Sequence, residues 1–173
     1  MSPLVDPSGP ANGPLIKYVH RGSVAPVGTG DGNVMAYSFR YCLTKDQSNQ
    51  APFLAPKGYN ASDFLLFRRT VAAYAAHNRS TGVGNIYGLY SYHSHVAKWD
   101  LCDSQDFPVT SDAPQENIGY WNGTRAFRQS VAEKHYYYVS GMLYCLAHDP
   151  ECVEIPAASR ANANMYGLCK DEW

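Results

Sequence analysis

Hydrophobic and polar positions alternate strictly from Val34 to Leu43. Met35, Tyr37, Phe39, Tyr41 and Leu43 fall on one side of an extended chain, and Ala36, Ser38, Arg40 and Cys42 on the other. This period of two predicts a strand with one apolar face and one face of small side chains carrying a single cation. An isolated buried guanidinium is costly, so the small face predicts an anionic partner for Arg40 and room to hold it. The period then lengthens. Ser62 is placed to cap a helix from Asp63 to about His77, with Phe64, Leu65, Val71, Ala72 and Ala75 as its apolar face. Asn85 to Val96 returns to a loose alternation and predicts a second strand, with Tyr87, Leu89, Ser91, His93 and His95 on one side. Lys98 to Gly123 reads as a long loop.

The longest periodic stretch predicts a helix from about Thr124 to Ala147. Phe127, Val131, His135, Tyr138, Met142 and Leu146 recur at steps of three and four and form one stripe, interrupted only by His135. Asp149-Pro150 stops it, because a residue before proline disfavours helical backbone. A short final helix is expected between Pro156 and Tyr166, with Gly167 as its left-handed end. Residues 1–33 are rich in proline and glycine and read as an extended connector, leaving 34–173 as a single partial domain. The expected fold class is α+β, a small mixed or antiparallel sheet with about three helices.

Composition narrows the functional classes. A formal net charge of −1 and the absence of a basic run give no electrostatic basis for nucleic-acid or anionic-membrane partners. No apolar stretch approaches the ~20 residues of a spanning helix, and the first residues lack an apolar targeting core, so a soluble chain is expected. The five cysteines are odd in number and lack CxxC spacing; the expectation is buried, reduced thiols. Asn60-Ala-Ser62, Asn78-Arg-Ser80 and Asn122-Gly-Thr124 are glycosylation sequons, which are informative only in a secretory compartment.

Several blocks carry a family resemblance. AYSFRYCLT, the loop KDQSNQ, PFLAPKGY and the helix start NASDF resemble the segment that follows the Rossmann part of FAD-dependent oxidoreductases. KHYYYVSGMLYCLAHDP and the closing GLCKDEW resemble the same family's long helix and final block, with weaker matches in KWDLC and SDAPQENIGYW. The resemblance spans roughly Ser2 to Trp173. It departs at Ser38 and Cys102, where the family pattern has asparagines, and at Ala73 to Ser94, which have no counterpart. It implies the substrate-side portion of a flavoprotein without its Rossmann half, covering the flavin of FAD and positioning a small organic substrate for hydride transfer. A second polypeptide would then carry the nucleotide site. The alternative is a non-catalytic binding or structural subunit derived from such an enzyme.

The residues themselves agree with a missing cradle. Gly28-Thr-Gly30-Asp-Gly32 opens a strand, so it offers no helix N-terminus to a pyrophosphate and reads as a turn. Gly82-Val-Gly84-Asn-Ile-Tyr-Gly88 follows a helix and leads into alternating aromatic sequence, and is rejected on that ground. Arg40 is either a surface arginine stacked on a tyrosine or, as the resemblance implies, a catalytic and substrate-binding group beside the flavin. Ser38, Lys98, Asp100 and Tyr138 complete the expected substrate pocket, although Lys98 and Asp100 also fit a solvated loop pair. His135 is either a satisfied core histidine or a proton-transfer group. His93 and His95 share a strand face, but no spacing supplies a third metal ligand, and no metal is expected.

Overall fold

A computed structural model of the chain describes residues 2–172 apart from 23, 24, 31, 33, 94–96, 105, 110 and 114. Five strands, β1 (Tyr41–Thr44), β2 (Gln50–Ala51), β3 (Tyr90–His93), β4 (Lys98–Leu101) and β5 (Gly167–Cys169), form one sheet in the order β2-β5-β1-β4-β3. Every pairing is antiparallel. Among the described residues four helices accompany it: α1 (Leu65–Ala76), α2 (Val83–Tyr87), α3 (Arg125–Ala147) and α4 (Ala157–Ala163). The α+β class is as the patterning predicts, with one more helix than expected.

The first strand is shorter and later than its alternation suggests. Among the described residues of the predicted strand only Tyr41–Thr44 has ladder partners, β4 on one side and β5 on the other, and Ser38 makes an isolated bridge to Asp112. Alternation without a neighbouring strand leaves the apolar face unburied, and Met35 is 86 % exposed. Where partners exist the predicted faces hold. Tyr41 and Leu43 are buried against α3, with Tyr41 Oη and Ser140 Oγ 2.7 Å apart. The opposite face carries Arg40 and Cys42.

Two further readings are corrected. The predicted strand Asn85 to Val96 begins as helix: Gly82 supplies an extended N-cap and Gly88, at φ +57°, a left-handed C-cap, so a turn and a half of α2 closes before β3 starts. Neighbours Ile86 and Tyr87 are both fully buried, which a strand with one buried face cannot achieve. The loop reading of Lys98 to Gly123 misses β4, whose polar-apolar sequence KWDL is half-buried and held between β1 and β3.

Helix predictions fared better at their ends than in their caps. Thr124 caps α3, its Oγ1 accepting from Phe127 N at 3.2 Å, a contact typically worth about 1 kcal/mol. Val131, His135, Tyr138, Met142 and Leu146 are buried as one stripe, while Phe127 stays partly exposed. Asp149 ends the helix by more than its proline neighbour: its Oδ1 accepts from Glu151 N at 2.8 Å and its Oδ2 from Tyr59 Oη at 2.5 Å. The cap ahead of α1 is Asn60, not Ser62, and it opens a short 3-10 turn, Ala61–Phe64. Gly167 does not end α4; it opens β5 opposite Thr44. Side chains of α4 instead finish α3, with Asn164 Nδ2 donating to Ala147 O at 3.0 Å and thereby satisfying one of the carbonyls a helix end leaves open.

The cysteines overturn the reduced-thiol expectation. Cys42 is bonded to Cys169, joining β1 to β5, and Cys145 to Cys152, joining the end of α3 to the turn after it. Cys102 is a free thiol. In the head, Leu4 and Ile16 are buried and bridged through Leu4 and Leu15, and Arg69 of α1 donates to Leu4 O and Val5 O at 2.7 and 2.9 Å.

Candidate functional site

The expected site residues separate into two groups on different parts of the fold. Arg40, Lys98 and Asp100 lie on the outer face of the sheet. Cys42 stands opposite Asp100, so Arg40, two residues before Cys42, reaches Asp100 diagonally across the β1–β4 ladder. Its Nε donates to Asp100 Oδ1 at 3.1 Å, and its Nη2 pairs with Oδ2, a two-point contact. The anion that the lone cation demanded is therefore intramolecular, and the Cys42–Cys169 bridge lies beside it. Lys98 does not pair with Asp100. It donates to Asp171 at 2.8 Å and Glu172 at 2.7 Å and ties the C-terminal turn to the sheet; these bonds raise the Lys98 ammonium and lower the Asp171 carboxyl from their ordinary values.

The second group is buried beneath α3. His135 is 3 % exposed, and its Nδ1 lies 2.9 Å from Val131 O. A carbonyl can only accept, so Nδ1 carries the proton there, and a neutral ring then leaves Nε2 as a bare acceptor. Nε2 is buried and has no hydrogen-bond partner among the described residues. Asp112 faces it electrostatically from the loop after β4. Burial first, and then the charge of Asp103, raise the Asp112 carboxyl above its usual range, with His135 opposing the rise. Tyr138, one turn along α3, is buried as well, and burial together with Asp112 raises its phenol.

Ser38 joins this group rather than the arginine. It is bridged to Asp112, and its Oγ donates to Ser111 Oγ at 2.8 Å. Asn117 closes the cluster on the loop side. It is fully buried, its Nδ2 donates to Met35 O at 2.5 Å, and its Oδ1 has no partner among the described residues. Five buried side-chain polar atoms lack a hydrogen-bond partner among the described residues, on Arg68, Tyr87, Asn117, His135 and Glu154, and of these His135 Nε2 is the one that shares its surroundings with the Asp112 carboxyl.

Two of these residues were not legible as site residues. Asp112 lay in the block SDAPQENIGYW, which carried part of the resemblance, but nothing local linked it to a histidine downstream. Tyr18 gave no signal at all in its proline-rich surroundings. Its backbone takes the left-handed region at φ +67°, and its ring meets that of Tyr138 edge-on at 4.6 Å. The space between them, bounded also by Phe64, Phe67 and Met142, has a volume of about 10 Å³, room for about one water.

No family model, no curated protein and no solved structure matches this chain.

The fit of a flavin nucleotide can be judged from the glycine segments. Gly28, at φ +88°, lies in a turn closed by Thr29 N and Pro26 O at 3.0 Å, and no helix follows it among the described residues. At the start of α2 the Val83 amide already donates to Asn162 Oδ1 at 2.9 Å, and a side-chain carbon at Gly82 would lie 2.9 Å from that oxygen. The Asn162 amide occupies the place a phosphate would need, so these residues do not fit a pyrophosphate. An aromatic ring finds better ground. A recess of about 200 Å³ lined by Tyr41, Phe53, Leu54, Tyr136, Leu143 and Leu168 has a predominantly apolar wall. Among the described residues no three metal-binding side chains gather and no helix is long and apolar enough to cross a membrane; His95 lies outside the described residues.

Proposed function

We propose that this chain is the substrate-side part of an FAD-dependent oxidoreductase, contributing a buried proton-handling group while another polypeptide segment holds the nucleotide. The observation that carries the reading is the His135 ring: a buried acceptor nitrogen without a hydrogen-bond partner among the described residues, within electrostatic reach of the Asp112 carboxyl. The ring can take a proton from a hydroxyl or amine, with an ionised Asp112 offsetting the charge the ring gains. Tyr138 extends the same group by one hydroxyl, and Ser38 holds the Asp112 loop in place. Arg40, half-exposed and neutralised by Asp100, supports the sheet face rather than a buried carboxylate site. A second reading, a binding or structural subunit, draws on the exposed Met35 and Trp121 side chains.

Fluorescence quenching of lumiflavin and of FAD by the purified chain tests the proposal. Saturable quenching is expected with both, their affinities agreeing within a factor of about 3, under 1 kcal/mol, because the nucleotide end gains nothing here. Absence of quenching by either would remove the flavin reading and leave the subunit reading standing. FAD binding more than about tenfold tighter than lumiflavin would instead reveal a cradle that these residues do not provide. Leu143→Ala, in the wall of the apolar recess, should weaken quenching by both; no change would remove that recess as the ring's place.

A further inference from the structure

Four of the five cysteines are bonded in pairs, and three of the four, Cys145, Cys152 and Cys169, are fully buried. One bridge spans 127 positions and the other 7. Each requires two thiols to give two electrons and two protons to an oxidant, in practice a protein disulfide. Bridges of this kind persist in oxidising compartments and are rare where thiol reductants dominate.

The three sequons gain meaning from that chemistry. Asn60, Asn78 and Asn122 are all exposed, and each sits where the chain turns at a helix end: ahead of the 3-10 turn before α1, just past α1 at φ +56°, and before the Thr124 cap of α3. Their Nδ2 atoms make no hydrogen bond to the described residues; the one side-chain bond among them is Asn60 Oδ1 accepting from Ser62 N. Three of the six described asparagines outside sequons are used differently, while Asn12, Asn85 and Asn162 likewise donate nothing from Nδ2 to the described residues. Asn49, Asn117 and Asn164 donate from Nδ2 to Asp171, Met35 O and Ala147 O.

We infer that the protein folds in an oxidising, glycosylating compartment and carries N-linked oligosaccharide at these three asparagines. At each site Nδ2 forms a bond to the anomeric carbon of a sugar carried on a polyprenyl diphosphate. The anomeric carbon–oxygen bond breaks, the lipid diphosphate leaves with the electron pair, and the amide loses one proton. The Asn60 cap survives the change because Oδ1, its acceptor, is untouched. At Asn122 the glycan would cover apolar surface: the Phe127 ring and the Asn122 side chain both lie within 4 Å of the side-chain position at Gly119, and neighbouring Trp121 is 68 % exposed. A glycan there blocks protein docking on that patch. This inference is independent of the flavin reading, since either can fail alone.

The test uses the protein purified from the cells that make it. Peptide N-glycosidase digestion in ¹⁸O-water leaves a labelled aspartate wherever an asparagine was glycosylated, and thiol counting under denaturing conditions reads the bridges. Label at two or three of the sites, with one free thiol per chain before reduction and five after it, supports the inference. Label at one site or none overturns the glycosylation assignment, and more than one free thiol before reduction overturns the oxidising compartment.

Discussion

Arg40 shows how far a single residue can be read. Its position on a face of small side chains exposed a need for an anion, and that need is real. The anion is Asp100, 60 positions away on a strand that the sequence presented as loop. Nothing in the local pattern distinguishes an internal partner from a ligand, because both answer the same electrostatic demand. The pair is testable by a double-mutant cycle on Arg40→Ala and Asp100→Ala. Because Arg40 is 55 % exposed, urea denaturation should give a small coupling of about 0.2–1 kcal/mol despite the two-point contact. Coupling indistinguishable from zero would return Arg40 to the pool of ligand-binding candidates.

Among the elements, α3 was the most legible and α2 the least. α3 has a polar cap, a stripe at helical spacing and an aspartate-proline stop, three independent signals that agree. In α2 the alternating aromatic sequence downstream masked two glycine caps that close only five residues. The loop carrying Asp112 was opaque for another reason: its role depends on α3 passing beneath it, which no spacing encodes. Gly141 reports how closely α3 packs. A side-chain carbon there would overlap the Phe64 ring of the 3-10 turn before α1. Gly141→Ala should therefore cost about 1–3 kcal/mol in chemical denaturation, in spite of alanine's better helix propensity, and a further Phe64→Leu change should recover part of it. A stabilised Gly141→Ala chain would mean the two elements do not approach as described.

At the scale of the molecule the chain is joined into covalent loops that its cysteine spacing concealed. Connectivity follows from three-dimensional proximity: Cys42 and Cys169 are opposite one another in adjacent strands, with Cα atoms 5.5 Å apart. In the loop-entropy description the long bridge exceeds the short one by about 2.5 kcal/mol, given separations of 127 and 7. Replacing Cys42 and Cys169 together by serine should accordingly lower unfolding free energy by about 2–5 kcal/mol, and replacing Cys145 and Cys152 should cost less. Equal losses, read from denaturant midpoints, would show that packing around the sulfurs outweighs loop closure.

The bridge has one more effect, on which substitutions the protein can absorb. A three-residue strand normally keeps its alignment through the fit of its side chains, and a slip by one position turns each of them to the wrong face. In β5 the sulfur at Cys169 fixes the alignment instead. A change at Leu168, which packs on the core and lines the apolar recess, would therefore cost packing without letting the strand slide, so the sheet it completes keeps its register.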